Sequence, residues 1–356
     1  MQLTHIYFFS WFNANSVSTR YRGLYFLEEL KQSKGISYTF VYPGYKLKEL
    51  FRFTIAFLEI MLFRKKNSII IYQKIYTNGI YSKTLKLLLK LSPKNTIYDT
   101  DDADYLRYDT KVITHFMKHC SSCHVGSTAL KKYTLKYNKN VHVLTSPIIT
   151  HYQVKSKKSK LFHVGWIGNY GTNEGVIEPF SHKLSLEKLL YPGLLELNFD
   201  YKLTILGIKN PKDKVDIELL FKNKRNVSLS IPQNINWLDE ISIYNRVKEF
   251  DIGVSPMINH EFNIAKSAFK VKQYLSSGVP VLASPVGENL SFIKDGENGY
   301  FCKNANEFKI KLEEFYQKTE TNYKKIIKNT LSEIDSFNIE SYSKQFIESI
   351  QEIDLH

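Results

Sequence analysis

The segment KSAFKVKQYLSSGVPVLASPVG, Lys266–Gly287, sets the strongest limit on what this chain can fold into. Ala268, Val271 and Leu275 recur at helical spacing, which puts Lys266, Lys270, Gln273 and Ser277 on the opposite, polar face. Gly278 stops that helix, and the run VPVLAS around Pro280 is too uniformly apolar for a half-exposed strand. Upstream, FDIGVSPM (Phe250–Met257) is another such run, so the unit reads strand, loop, helix, strand. Two buried strands joined through a helix imply a parallel sheet.

The charge in this segment is unusual. With Ser267 as the helix cap, Lys266 sits just outside the first turn and Lys270 just inside. Cations at the positive end of a helix cost about 0.3–1 kcal/mol each. A bound anion removes that cost, because free N–H groups and lysines then share a phosphate. The segment is therefore either a solvated lysine pair in a Lys-rich chain or a diphosphate site. The latter would lie at the C-terminal edge of a parallel sheet, where open α/β sheets bind ligands.

A chain of 356 residues suits two domains, each able to bury its own core. Hydrophobic content of 43% and aromatic content of 14% exclude disorder. The net charge of +14 points to an anionic partner: nucleotide phosphates, acidic lipid headgroups or nucleic acid. Three cysteines argue against a disulfide framework and for a reducing compartment. The N-terminal MQLTHIYFFSWFN has no cationic region or small-residue cleavage site and reads as a first strand. No apolar run is long enough to span a bilayer, so a cytoplasmic protein is expected.

Along the chain, LTHIYFFSWF (Leu3–Phe12) is the first expected strand. The loop NANSVSTRYRG follows, with Ser18, Thr19, Arg20 and Arg22 beside the start of the helix LYFLEELKQ. This loop suits an anion or sugar hydroxyls, although arginines flanking a helix start are commonly surface residues. Ile36–Pro43 and Ser68–Tyr76 are further strands. Between them, Lys46–Lys66 is a long apolar helix with basic ends. Either it packs as a core helix, or one face lies in an anionic membrane surface with its lysines and arginines snorkelling. The carboxylates of TIYDTDDADYL open a loop after a fourth strand. Three roles stay open for Asp99, Asp101, Asp102 and Asp104: metal binding, a structural or capping role, and contact with an acceptor hydroxyl. His119–His124, HCSSCH, imitates a haem-attachment or zinc motif. It reads more simply as a strand followed by a helix capped by Ser127. Asn140–Ile148 closes the first sheet, and the polar, basic His151–Lys160 is the expected linker.

The second α/β pattern starts at KLFHVGWIGNYGTN, a strand ending in a glycine loop whose backbone can approach a ligand closely. Tyr201–Ile208 and Asn226–Pro232 are strands, Asp239–Glu249 is a helix, and helices run from Asn304 onward. The amphipathic tail Ile339–Ile353 is expected to cross back onto the first domain.

FDIGVSPM, the AKSAFKVKQYLSSGVPVLASPVG block and DGENGYF resemble the donor-binding half of the family 4 retaining glycosyltransferases. SVSTRYRG, YDTDDAD and VGSTAL resemble the first domain of a bacterial surface-polysaccharide branch of that family. The resemblance covers most of the chain and is most specific over Asp251–Gly299. It implies the α/β GT-B fold, two Rossmann-like domains whose parallel sheets face each other across a cleft. The expected division is an acceptor domain over 1–150, the linker 151–160, a nucleotide-sugar domain over 161–336 and a returning helix over 337–356. It also implies transfer with retained configuration, by front-face attack without a protein nucleophile, and no metal or other cofactor. Within this frame the expected donor contacts are Gly168, Asn169, Glu261, Lys266, Lys270, Gln273 and Gly287. Ser18, Thr19 and Arg20 form the acceptor or phosphate loop, and Asp101, Asp102 and Lys266 are the catalytic candidates. Lys266 and Lys270 are expected to stabilise the leaving diphosphate.

The sequence departs from the family at two places. The Glu-x7-Glu motif falls on Ala265 and Gln273, neither acidic, although Gln273 can still hydrogen-bond ribose hydroxyls. The Arg/Lys pair usual after the first strand of the second domain is missing from GWIGNYGTN. The leading expectation is a glycosyltransferase of capsule or lipopolysaccharide synthesis, acting on a glycan or lipid-linked acceptor, peripheral on the inner face of the membrane. The alternative is a nucleotide-sugar epimerase or a non-catalytic binding homologue. Nucleic acid is not an expected partner, since no RNA-binding signature accompanies the lysines.

Overall fold

The computed structural model describes residues 3–44, 46–150, 154–171 and 178–351. The first sheet contains β1 (His5–Ser10), β2 (Ser37–Val41), β3 (Ser68–Gln73), β4 (Thr96–Thr100), β5 (Ser122–Val125) and β6 (Val141–Val143). Its order is β2-β1-β3-β4-β5-β6, and every pairing is parallel. The second contains β7 (Phe162–Ile167), β8 (Tyr201–Leu206), β9 (Val227–Ser230), β10 (Ile252–Ser255), β11 (Val281–Ala283) and β12 (Gly299–Phe301). Its order is β12-β11-β10-β7-β8-β9, again all parallel. Each sheet reverses its winding once, beside β1 and beside β7, and ligands of open α/β sheets bind at such reversals.

Covering helices bury both faces of these sheets, which is why SIIIYQ and FHVGWI are buried throughout instead of alternating. The core of the second sheet gathers Trp166, Leu203, Ile205, Val254, Leu282 and Phe308. Two compact units emerge: Met1–Pro147 with Ala265–Ser267 and Phe337–His356, and Ile148–Ile264 with Ala268–Ser336. In the first unit the Ile339–Gln351 helix packs on the Tyr25–Lys34 helix, with the Phe346 ring 5.0 Å from Phe26. Residues 151–153 of the expected linker lie outside the described residues. From Val154 the chain is tied to the second unit: Lys155 is buried, and its Nζ stands 3.0 Å from Asp251 Oδ1.

Several local expectations need correction. The helix in the organising segment is Phe269–Ser276, and its N-cap is Ala268 at φ 52°, not Ser267. The Ser267 hydroxyl donates instead to Ser146 Oγ at 3.1 Å. Gln273 and Ser277 are not on a solvated face either, because Val271–Ser276 are all buried. The cause is packing: the helix is hemmed in by β10, β11 and the Glu320–Leu331 helix.

The expected loop NANSVSTRYRG is largely helical. Val17–Thr19 is α, Arg20–Leu24 is a π-turn, and the α-helix continues over Tyr25–Lys34. Gly23 allows this, since a Cβ there would come within 2.4 Å of the Phe8 ring. Arg20 and Arg22 are buried in this turn and are not surface residues. The Leu47–Phe63 helix fully buries only Ala56 and Ile60. Two helices absent from the sequence reading, Thr110–His119 and Pro211–Phe221, are capped by Asp109 and Asn210.

Candidate functional site

In the first unit the C-terminal ends of β3 and β4 present a cluster of opposite charges. Lys74 follows β3 directly, with its backbone in the left-handed region at φ 51°, a strained setting for a side chain of this size. Its ammonium donates to Asp101 Oδ1 at 3.0 Å and Asp102 Oδ2 at 2.7 Å, and stands 3.3 Å from Asp104 Oδ2. Lys266 Nζ reaches the other oxygen of Asp102 at 3.4 Å. Asp101 also accepts from Ser18 at 3.1 Å and from Ser146 at 3.4 Å. Three carboxylates thus face two ammonium groups.

Burial sets the protonation here. Burial opposes the charge on Lys74, but the three aspartates outweigh it and hold its pKa well above normal. Asp102 is also penalised by burial, yet Lys74 and Lys266 push its pKa well below the usual range. Burial, with Asp102 and Asp101 as neighbours, pushes Asp104 up to about 6 despite Lys74. The cluster therefore takes up a proton on Asp104 as pH falls through about 6.

A second layer supports the first. Arg22 forms a bidentate pair with Asp99, and Gln73 Nε2 donates to Asp99 Oδ2 at 3.2 Å. Ser10 Oγ donates to Gln73 Oε1 at 2.9 Å and lies 3.0 Å from Thr19 Oγ1. Arg20 is spent on the protein, its Nη1 donating to the Asn15 carbonyl at 2.9 Å. Of the predicted phosphate loop, Ser18 therefore meets Asp101, whereas Thr19 and Arg20 face neighbouring protein atoms.

In the second unit the ends of β7 and β8 meet backbone to backbone. Gly168 N donates to the Leu206 carbonyl at 3.0 Å. Gly207 has φ 111°, and a Cβ there would stand 1.8 Å from the Gly168 carbonyl oxygen. Asn169 is exposed beside this seam. The expected glycine loop, Gly165–Gly171, is described; residues 172–177 after it lie outside the described residues. Lys270 Nζ lies 2.9 Å from His182 Nε2 and 6.0 Å from the Trp166 ring centroid. His182 opens the His182–Leu189 helix, which Ser181 caps. Trp166 is fully buried, and its indole N–H has no hydrogen-bond partner among the described residues. Gly287, at φ 56°, lies against Ile264, where a Cβ would come within 2.4 Å of the carbonyl oxygen. Glu261 is exposed, and Gln273 is buried.

Lys266 and Lys270 thus hold different partners, Asp102 and His182. The sequence reading missed Lys74, His182 and Trp166, and placed Asp104 only in the general carboxylate cluster after the fourth strand. Position immediately after a buried strand was the available signal for Lys74; nothing local marked His182 or Trp166. Among the described residues, no group of three His, Cys, Asp or Glu is arranged to hold a metal ion. The cysteines of HCSSCH are buried free thiols, and His124 beside them bonds to Ser349 Oγ at 3.1 Å.

Residues 163–318 match the family model for glycosyl transferases group 1. The whole chain has the GT-B glycosyltransferase fold. Sucrose-phosphate synthase from Thermosynechococcus elongatus is similar at TM-score 0.69 and 12% identity, over 98% of both chains. Anabaena HepE, solved with UDP-glucose, is similar at TM-score 0.65 and 10% identity, over 98% of this chain and 99% of that one. The lipopolysaccharide outer core galactosyltransferase WaaB is similar at TM-score 0.63 and 14% identity, over 98% and 99%. A search of curated proteins finds no match to the sequence.

Proposed function

We propose that this protein transfers a sugar from a nucleotide-sugar donor to a glycan or lipid-linked acceptor in bacterial surface-polysaccharide synthesis, at the inner face of the membrane. The observation that carries the reading is the Lys270–His182 pair beside the glycine seam of β7 and β8, within the stretch that matches the family. A diphosphate suits this place: the seam admits close approach, and the lysine supplies charge without a metal. HepE was solved with UDP-glucose, and WaaB is a lipopolysaccharide galactosyltransferase, which supports this donor and acceptor class.

In the proposed reaction the acceptor oxygen bonds to the anomeric carbon as the bond to the diphosphate oxygen breaks. The acceptor proton passes to the departing phosphate, on the same face, so configuration is retained. Lys270 neutralises the charge that grows on the diphosphate. On the first unit, Asp102 and Asp101 are the acceptor-side candidates, and Lys266 is paired with Asp102.

One observation favours a second reading, a binding protein or epimerase. Gln273 replaces a family glutamate and is buried. A panel of labelled nucleotide-sugars separates the two. Glycan product from one donor, with turnover lost in Lys270→Ala, supports transfer. Tight donor binding with no product, or a donor epimer as the only product, supports the alternative.

A further inference from the structure

The Leu47–Phe63 helix turns its apolar side outward. Leu47, Phe51, Ile55, Leu58 and Leu62 recur at helical spacing, with exposures of 85%, 69%, 47%, 49% and 65%. A surface helix of a soluble domain carries charge at such positions, and clustered apolar exposure of this kind marks an interaction surface. The neighbouring Ile80–Leu91 helix repeats the pattern with Ile80, Leu87 and Leu91 exposed.

The charges around this face have one sign. Lys48 and Arg52 flank the first stripe and Lys83 and Lys90 the second, all exposed. The two carboxylates of the first helix are each paired with a group of the protein. Glu49 accepts from the Lys46 backbone at 3.0 Å, and Glu59 accepts from Tyr7 at 2.9 Å. Where both helices end, a basin of about 700 Å³ opens, rimmed by Lys65, Lys66 and Lys94.

We propose that this two-helix face docks on an anionic lipid bilayer, lying in the interface with the lysine-rimmed basin over the phosphate headgroups. An apolar stripe bordered by lysines is complementary to acyl chains below and phosphates at their level. At 17 residues the helix is about 25 Å long, and no helix among the described residues is long and apolar enough to cross a membrane. The face lies on the bilayer and does not span it. The proposal rests on the inner-face placement above, but not on sugar transfer.

The test is co-sedimentation of the full chain with phosphatidylcholine vesicles, with and without phosphatidylglycerol. Binding is expected only with phosphatidylglycerol, weakening as salt rises. Phe51→Ser with Leu58→Ser should lower partitioning at least about tenfold, and Lys83→Glu with Lys90→Glu should abolish the lipid preference. An environment-sensitive dye on Leu58→Cys should shift to the blue with anionic vesicles, and one on Lys132→Cys should not. Absent binding, or binding unchanged in both double variants, overturns the proposal. So does a lipid-free dimer dissolved by the same variants, which assigns the face to a second copy. Turnover on a soluble acceptor is measured in parallel: vesicle binding without turnover sinks the transferase reading alone, and turnover without vesicle binding sinks this inference alone.

Discussion

Lys74 donates to Asp102 at 2.7 Å from a backbone at φ 51°, so a strained, buried residue supplies the counter-charge for the half-buried Asp101 and Asp102 and the buried Asp104. Removing one partner of a buried ion group leaves the others uncompensated. Lys74→Met is therefore expected to destabilise the protein by roughly 3–5 kcal/mol, read as a lower urea midpoint. Adding Asp102→Asn should recover part of the loss. An unchanged midpoint in the single variant would show that the carboxylates find their charge elsewhere.

Asp104 gives the same cluster a pH signature. Its folded pKa, pushed up to about 6, lies above the value near 3.9 expected when unfolded. The folded state then binds the extra proton between those values, so this group's contribution falls as pH rises towards 6. Asp104→Asn should be more stable than the parent at pH 8 by on the order of 1–2 kcal/mol. The gap should close as pH falls through 6 towards 4. A gap independent of pH would place the titration elsewhere.

Buried histidines act in the opposite direction. Burial, reinforced by Lys65, lowers His5 to about 4, and burial, reinforced by Lys202, lowers His163 to about 3. Burial also holds His124 well below its ordinary value. The unfolded chain takes these protons near 6.5, so stability is present above that pH and is lost below it. Each histidine removes about 1 kcal/mol per pH unit on the way down. Three such groups outweigh Asp104, and thermal scans should show a net fall in Tm from pH 6.5 to 4. His163→Asn, which can still bond to Thr204 Oγ1, should flatten that slope.

Lys270 is the sharpest test of the donor site. In the proposed reading Lys270→Ala takes the ammonium partner away from the diphosphate, and a charge-assisted bond of this kind corresponds to roughly a tenfold to hundredfold loss of affinity. The variant should therefore lose most of the thermal shift produced by a UDP-sugar. Lys266→Ala should leave that shift near the parent's while lowering turnover, because its partner is Asp102. Equal losses in both variants would mean that the two amines act on one group.

Most strands were legible as compact apolar runs, and SIIIYQ and FHVGWI announce a sheet covered on both faces, whereas β12 (Gly299–Phe301) lies in DGENGYF, which reads as a turn cluster. The loop before Tyr25 was misread because its small polar residues and arginines resemble a turn. Their burial depends on Asp99, 77 positions away from Arg22. Ser267 looked like a helix cap, but its partner Ser146 is 121 residues distant. Lys74 and His182 were invisible for the same reason: their partners come from other parts of the chain. Asp101, Asp102 and Lys270 were visible as residues, although not with the partners that the fold gives them.

The seam between Gly168 and Gly207 carries a lesson for redesign. The Gly168 carbonyl occupies the space that any side chain at 207 would need, so this floor is closed to variation. In the proposed reading, the flanking segments 178–185 and 256–264, which have side chains to exchange, are where selectivity among donor sugars can be altered. Libraries aimed at new sugars should spare the two glycines and randomise those flanks.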